Sequence, residues 1–430
     1  MPDTVRRWLG PVAERDFGLL WLAATLSLMG DYAFRLAFIT YVITTTRSPT
    51  ALAVATTALL VPPLLFYLLG GVVGDRARSR KAVLVTADLG RCAAAAAIAV
   101  LVLNGGHVTG VVLLGVVIGI GNGFFLPASF AYLTEIVDKE RLAAANSATS
   151  ITRQLGIIGG PLLGGALIAL AGVSAAFWFD AATFLASALL ILAIRGRRGT
   201  APRQAALARG LRGVLSDARA GFTFIAGTRW LLLSCLVGAL ANAVFAGNLD
   251  ISVPLILSPE GVGQAAGLGL FYCLQGAGAL AGAVVLARLT VTRTGVTCFA
   301  MLTVMAAAIT LIGVLPWLWT TYLMALAYGV GLHFFNSLYP TIVQGRTPAE
   351  LLSRVGSFVF LAFHGLMPLG TLLIGPLIAA SGPRPAAALT GGAVLLLALL
   401  VLRAPSVRTL RTERLDPDAG ARVTTAEERS

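Results

Sequence analysis

Along the chain, long apolar runs alternate with short polar or glycine- and proline-bearing breaks. The runs fall at 17–46, 49–73, 82–103, 109–132, 143–170, 174–194, 230–256, 264–287, 295–314, 317–340, 355–379 and 386–403. A helix needs about 20 mostly apolar residues to cross the hydrocarbon core of a bilayer, so the pattern predicts twelve membrane-spanning helices. Pro127, Pro161, Pro254, Pro340, Pro368 and Pro376 lie within the runs. Proline removes a backbone donor and bends a helix, and the membrane tolerates this where protein neighbours line a cavity.

The polar stretches organise these runs into a cytoplasmic N-terminus at 1–16, a six-helix bundle at 17–194, a linker at 195–229, a second six-helix bundle at 230–403 and a disordered cytoplasmic tail at 404–430. In the linker, Leu207, Leu211, Leu215, Ala218, Phe222 and Ile225 recur at helical spacing with Arg209, Arg212 and Arg219 elsewhere on the turn, which predicts an interfacial amphipathic helix. A shift of 210 residues superposes Gly119, Gly121, Phe124 and Phe125 on Gly329, Gly331, Phe334 and Phe335, and continues without a gap through Glu140 on Glu350 to Gly172 on Gly382. Two similar six-helix halves imply parallel repeats about an axis along the membrane normal. The predicted fold class is therefore all-α integral membrane, with twelve helices in two pseudo-symmetric bundles.

Composition agrees with a membrane protein: 57% of the 430 residues are hydrophobic and 12% charged. The net charge of +13 suggests an acidic partner such as nucleic acid until its distribution is mapped. With the N-terminus taken as cytoplasmic, 27 of the 32 lysines and arginines fall in inner segments, Arg47 and Arg384 in outer ones, and Arg35, Arg91 and Arg153 within spans. The positive-inside rule accounts for this asymmetry, places both termini in the cytoplasm, and leaves no nucleic-acid partner to invoke. The setting this implies is the cell membrane, and the arginine bias hints at a bacterial source. Cys92, Cys235, Cys273 and Cys298 are far apart, form no C-x-x-C pair and read as small buried residues.

A nucleotide-driven motor or a catalytic centre would leave its own sequence signature. A phosphate-binding loop needs a lysine after glycine, but Lys81 follows Arg80 and Lys139 follows Asp138. His107, His333 and His364 form no H-E-x-x-H, and no G-x-S-x-G occurs. The reading is of a chain that is not an enzyme, with no catalytic residues, no metal and no cofactor. The glycines at 119, 121 and 123 lie within a span and read as close helix packing.

At the inner end of the second span stands Gly70-Gly71-Val72-Val73-Gly74-Asp75-Arg76-Ala77-Arg78-Ser79-Arg80-Lys81. This resembles the loop signature of the major facilitator superfamily, a glycine, an Asp-Arg pair and a basic cluster, although Arg78 and Ser79 stand where the pattern has a further glycine. The resemblance implies a gating role for Gly71, Asp75, Arg76, Arg80 and Lys81, clamping the two halves in one access state. In the fifth span, Gly156, Gly160, Pro161, Gly164 and Gly165 are similar to the G-x-x-x-G-P-x-x-G-G pattern of exporter branches of that superfamily, which implies export. The mechanical basis is close packing of small residues with a proline bend. The segment from Glu135 to Ser147 resembles the connection between helices four and five in macrolide-efflux and enterobactin-exporter-like members.

Charges at membrane depth need a partner, a wet cavity or a function. Asp31 lies near the middle of the first span, and the i, i+4 spacing puts Arg35 on its face. A cavity changing its hydration would change proton occupancy there, the property proton coupling requires; a static Asp31–Arg35 pair is the other reading. Arg153, beside Gln154, either binds an anionic group or Asp31 across the cavity, or extends to the cytoplasmic surface. Asp88 and Arg91 read as a structural i, i+3 pair or a contact with the basic loop, while Asp180 and Asp250 lie closer to the outer surface and read as solvated helix-end residues or as acceptors of protons from outside. Asn122, Asn242, Gln275, His333 and His364 read as interhelical hydrogen-bond partners, with Asn122 also a candidate at the cavity and a proton relay the alternative for His333 and His364. Candidate cavity walls are Tyr32, Phe34, Phe38, Phe124, Phe125, Phe334, Phe335 and Tyr339.

The expected function is secondary active transport by alternating access: export of a small hydrophobic or amphipathic compound in exchange for protons. The partners would be that small molecule, protons and membrane lipids, with the protein acting as a monomer. A facilitator-type importer or uniporter shares the fold, and a non-transporting membrane receptor or scaffold is the remaining alternative.

Overall fold

A computed structural model describes residues 14–76, 79–137, 141–195, 221–257, 264–289, 291–348 and 351–410. At 68–76, 142–144, 146–147, 150–155, 264–265 and 353 it describes the helical path without side-chain placement. The N-terminal residues before 14, most of the segment expected as the linker helix and the tail beyond 410 lie outside the described residues. The first half comprises α1 (Arg15–Thr46), α2 (Pro49–Arg76), α3 (Arg80–Leu103), α4 (Val108–Ile136), α5 (Leu142–Ala171) and α6 (Val173–Ala193). The second comprises α7 (Arg229–Leu257), α8 (Gln264–Arg288), α9 (Thr294–Val314), α10 (Leu318–Arg346), α11 (Leu352–Gly365 and Met367–Ser381) and α12 (Pro383–Arg403).

Eleven of these described helices are long and apolar enough to cross a membrane, and α5 carries a shorter apolar stretch at Gly156–Ala171. Many large apolar side chains, such as Leu103, Leu170 and Leu373, face outward, as lipid contact requires. The protein is thus a multi-pass membrane protein.

The duplication is visible in three dimensions. Adding 210 to both ends of α4, α5 and α6 gives the ends of α10, α11 and α12. In the first half α1 packs on α5 and α6, α2 on α4, and α3 on α4 and α6; in the second, α7 packs on α11 and α12, α8 on α10, and α9 on α10 and α12. The halves meet along two related seams, α5 against α8 and α2 against α11.

Glycines permit these approaches. A Cβ on Gly160 would come within 2.4 Å of the Tyr32 side chain and 2.8 Å of the Met29 carbonyl, and one on Gly370 within 2.1 Å of the Ala243 carbonyl. Gly269 sits 3.0 Å, by the same measure, from the carbonyl of Pro161.

Two prolines leave visible marks. The ring of Pro254 would crowd the carbonyl of Asp250 in a regular helix, and α7 widens into a π turn at Asn248–Ser252. Pro368, which lacks a backbone donor, stands just past the break of α11 at Leu366. Ordered structure also extends further at the C-terminal end than expected. Pro405–Arg408 forms a helical turn, and Val407 and Leu410 are buried where Gly295 accommodates them.

Candidate functional site

The start of α1 and the end of α12 lie on one side of the bundle, called the terminal side. On the opposite, far side the halves are in contact. Arg35 of α1 pairs with Asp250 of α7, the hydroxyls of Thr57 (α2) and Thr371 (α11) lie 2.9 Å apart, and Gly375 abuts Ala53 and Pro49. Toward the terminal side Tyr67 of α2 stacks on Phe360 of α11, with centroids 5.5 Å apart.

A hollow of about 630 Å³ lies between these contacts and the terminal side. Thr149 and Ile157 of α5 form one wall and α7 to α11 the others. Its lining is mixed: Phe245, Leu302, Met305, Phe335 and Phe363 supply apolar surface, and Asn242, Gln275, His333, Asn336, Ser337 and His364 supply hydrogen-bonding groups. Asn336 and Pro340 line it and remain exposed, so the hollow communicates with the outside of the protein. Its size falls in the range of about 300–1,000 Å³ typical of small-molecule sites.

This placement corrects the sequence reading. Of the eight aromatics expected as walls, only Phe335 lines the hollow among the described residues. Phe34 instead packs on Phe38 and Phe177 inside the first bundle. The polar lining comes from Asn242, Gln275, His333 and His364, which were expected as helix-packing partners. A signal was available: Gly238, Ala241, Asn242 and Phe245 share one helical face, as do His333, Asn336, Ser337 and Pro340.

Asp31, Arg35 and Asn122 are absent from the described lining, and the side chains of Arg153 and Gln154 lie outside the described residues. Arg35 turns away from Asp31 to meet Asp250, so neither the static Asp31–Arg35 pair nor a solvated Asp250 is found. Asp250 is fully buried because the π turn carries it into the seam. Asp180 is likewise fully buried rather than solvated, because α6 turns it inward against α1.

Asp31 instead belongs to a polar network inside the first bundle. The Arg91 guanidinium donates to Asp88, with which it forms the expected i, i+3 pair, and to Asn122 Oδ1 at 2.6 Å. Ser187 donates to the second Asp88 oxygen at 2.7 Å, and Asn122 lies beside Asp31. Phe125 and Phe184 cover the faces of the guanidinium, 4.2 and 4.3 Å from its carbon. A Cβ on Gly121 would sit 2.6 Å from the Arg91 side chain, so glycine provides the room.

In the gating-loop group, Arg80 bonds Glu135 at 2.7 Å, and Lys81 donates to the carbonyls of Leu192 and Ile194 at 2.8 and 2.7 Å. These contacts stay within the first half: Arg80 joins α3 to α4, and Lys81 caps the C-terminal end of α6, where a cation complements the free carbonyls. The side chains of Gly71, Asp75 and Arg76 lie outside the described residues. Gly156, Gly160 and Gly164 pack α5 onto Leu28, Tyr32 and Ala33 of α1, while Pro161 and Gly165 face Gly269 of α8.

Two six-helix repeats that meet beside a lined hollow are the architecture of a membrane transporter. The chain belongs to the Major Facilitator Superfamily, which matches residues 20–371. It is 27% identical to the enterobactin exporter EntS of Shigella dysenteriae serotype 1 (strain Sd197), over 78% of each chain. It is 25% identical to the multidrug efflux pump Tap of Mycolicibacterium fortuitum, over 81% of this chain and 86% of that one. Among solved structures, a variant of the nucleoside transporter NupG superposes with a TM-score of 0.70 at 14% identity, covering 90% of this chain and 98% of that one. A variant of the peptide transporter POT also gives 0.70, at 15% identity, covering 92% and 95%. At such identities these two likenesses concern the fold.

Proposed function

We propose that this transporter exports a small hydrophobic or amphipathic compound from the cytoplasm in exchange for protons, by alternating access, as a monomer in the cell membrane with both termini cytoplasmic. One observation carries this reading: a hollow of small-molecule size, mixed in lining and communicating with the outside, lies on the terminal side of halves that are in contact on the far side. That arrangement suits loading from the arginine-rich side, which the positive-inside rule makes cytoplasmic. The names of the relatives, an enterobactin exporter and a multidrug efflux pump, support the outward direction.

Proton exchange is supported by Asp31, an ionisable group at mid-membrane depth whose partner Asn122 is neutral and whose cation, Arg91, is engaged by Asp88. The exported compound displaces the proton, and the proton gradient restores it.

The test uses ethidium in bacterial cells stripped of their own pumps, and inverted vesicles from those cells with an acid interior. Expression is expected to lower ethidium retention in cells and to drive its accumulation in vesicles, lost when the pH gradient is collapsed. Asp31→Asn is expected to remain folded and lose the gradient-driven part. Uptake into cells, or gradient-driven export undiminished in Asp31→Asn, would overturn direction or coupling respectively. Repeating the assay with a macrolide or a siderophore defines the substrate range.

A further inference from the structure

Besides Asp31, the first bundle holds a second acid in a more unusual setting. Asp180 of α6 is fully buried, and both of its carboxyl oxygens lack a hydrogen-bond partner. Its seat is built by Gly30, the residue before Asp31: a Cβ there would stand 2.5 Å from Asp180 Oδ1 and 2.1 Å from Thr183 Oγ1. The Thr183 hydroxyl is already committed, donating to the Asp180 carbonyl at 2.7 Å.

Among the described residues, the surrounding groups leave no cation free for this acid. α6 packs against α1, α3 and α5. From α1, Asp31 lies within electrostatic reach; from α3, Arg91 and Cys92 do. Arg91 is already divided between Asp88 and Asn122. The described interior therefore sets three carboxyl groups, Asp31, Asp88 and Asp180, against one guanidinium. Ionised carboxylates are not left bare in such a place, whereas a protonated acid carries no net charge.

The groups are also ordered in depth. Asp180 is seven residues from the far-side start of α6, Asp31 is near the middle of α1, and Asp88 is eight residues from the terminal-side start of α3. At about 1.5 Å per residue, these form a polar column through the first bundle, beside the hollow rather than inside it.

We propose that Asp180 is a proton-binding site in the first bundle, neutral in this state, which passes its proton to Asp31 in the transport cycle. The step is a simple exchange: the proton leaves the Asp180 carboxyl, Asp31 is neutralised as it arrives, and Asp180 is left ionised until recharged from the far side. Like charges in one enclosure favour a single shared proton over two ionised acids. The transported compound then occupies a hollow walled mostly by the second half, while the proton travels in the first. The α5 glycine motif touches α1 beside Asp31 and α8 across the seam, and so couples the two.

The proposal rests on the export reading for its role in the cycle, but its core is tested without any transported compound. Infrared difference spectra of the reconstituted full-length protein, stepped from acid to alkaline pH in H2O and D2O, report protonated carboxyl groups. A carboxylic-acid band is expected at neutral pH, lost in Asp180→Asn and retained in Asp31→Asn. Asp180→Glu, which keeps the acid and moves it by one methylene, is expected to shift the band, giving a second readout should the amide variant fold poorly. A spectrum in which neither Asp180 substitution changes an acid band overturns the proposal, whatever ethidium export shows. With the band assigned, loss of gradient-driven but not downhill ethidium movement in Asp180→Asn supports the role in the cycle, and unchanged gradient-driven export overturns that role.

Discussion

Arg35 reaches from α1 to Asp250 on α7 and so joins the two halves by an ion pair on the far side of the membrane. The two partners differ in setting: Asp250 is fully buried in a π turn, while the Arg35 side chain is 43% exposed. Such a pair must open whenever the hollow faces the far side, so it weights the balance between access states.

Asp250→Asn removes the charge and keeps the shape. Screening at the exposed arginine lowers the worth of the pair below the 3–5 kcal/mol of a fully buried one, to about 1.5 kcal/mol, or roughly tenfold in the access equilibrium. Spin labels at Thr50 on α2 and Ser381 on α11, both near the far-side helix ends, are expected to show a larger long-distance population in Asp250→Asn. An unchanged distance distribution would show that the pair does not govern closure.

The glycines of α5 make a graded prediction. Gly160→Ala places a methyl group 2.4 Å from Tyr32 Cβ and 2.8 Å from the Met29 carbonyl, and overpacking of this kind costs about 1–3 kcal/mol. Gly90→Ala, with nothing within 4 Å of the new carbon, is expected to stabilise its helix by roughly 0.5–1 kcal/mol. Thermal unfolding of the purified variants checks the opposite signs.

Much of the architecture was legible because the bilayer leaves few options: long apolar runs become helices, and the 210-residue repeat returned the paired ends of α4 to α6 and α10 to α12. The site was less legible. Sequence spacing paired Asp31 with Arg35 because i, i+4 neighbours share a face, but partners more than 200 residues away compete for the same side chain, and Asp250 won. Asp180 looked solvated because it stands two turns from a helix end. Its burial depends on Gly30 of a different helix, which no local pattern encodes.

Lys81 tests whether the loop beside α3 has a local structural task. Its ammonium caps the carbonyls of Leu192 and Ile194, so Lys81→Met is expected to destabilise the C-terminal turn of α6 by about 0.3–1 kcal/mol. A small loss of thermal stability with ethidium export retained per folded molecule is the expected pair of readouts. Loss of export at unchanged stability would instead support the gating role implied by the loop signature.

Gly238 offers a way to alter the hollow without touching its polar groups. A Cβ there would stand 2.3 Å from the tip of the Phe363 ring, and both residues line the cavity. Gly238→Val is expected to displace that ring and change the usable volume, weakening ethidium binding measured by fluorescence while smaller probes are less affected. Equal binding of large and small probes to the variant and the parent would place their site elsewhere.

The last prediction uses the duplication as its own control. With the shift of 210, the positions of Asp88, Arg91 and Asn122 become Cys298, Met301 and Leu332, so the second half builds the corresponding interior without the charged network. Gly121 makes room for the Arg91 side chain beside the Ala87 carbonyl, and Gly331 for the Met305 side chain beside the Met301 carbonyl, one helical turn further along the related helix. Arg91→Met alone leaves Asp88 buried with Ser187 as its remaining hydrogen-bond partner, and removing one member of a buried pair costs about 3–5 kcal/mol. Adding Asp88→Cys removes the stranded acid and recreates the second half's solution, so the double variant is expected to recover most of that loss in thermal unfolding. Its gradient-driven export is nevertheless expected to fall, because Asp31 then lacks both the field of Arg91 and an Asn122 held in place by it. Recovery of stability together with full coupling would mean that the network serves folding alone.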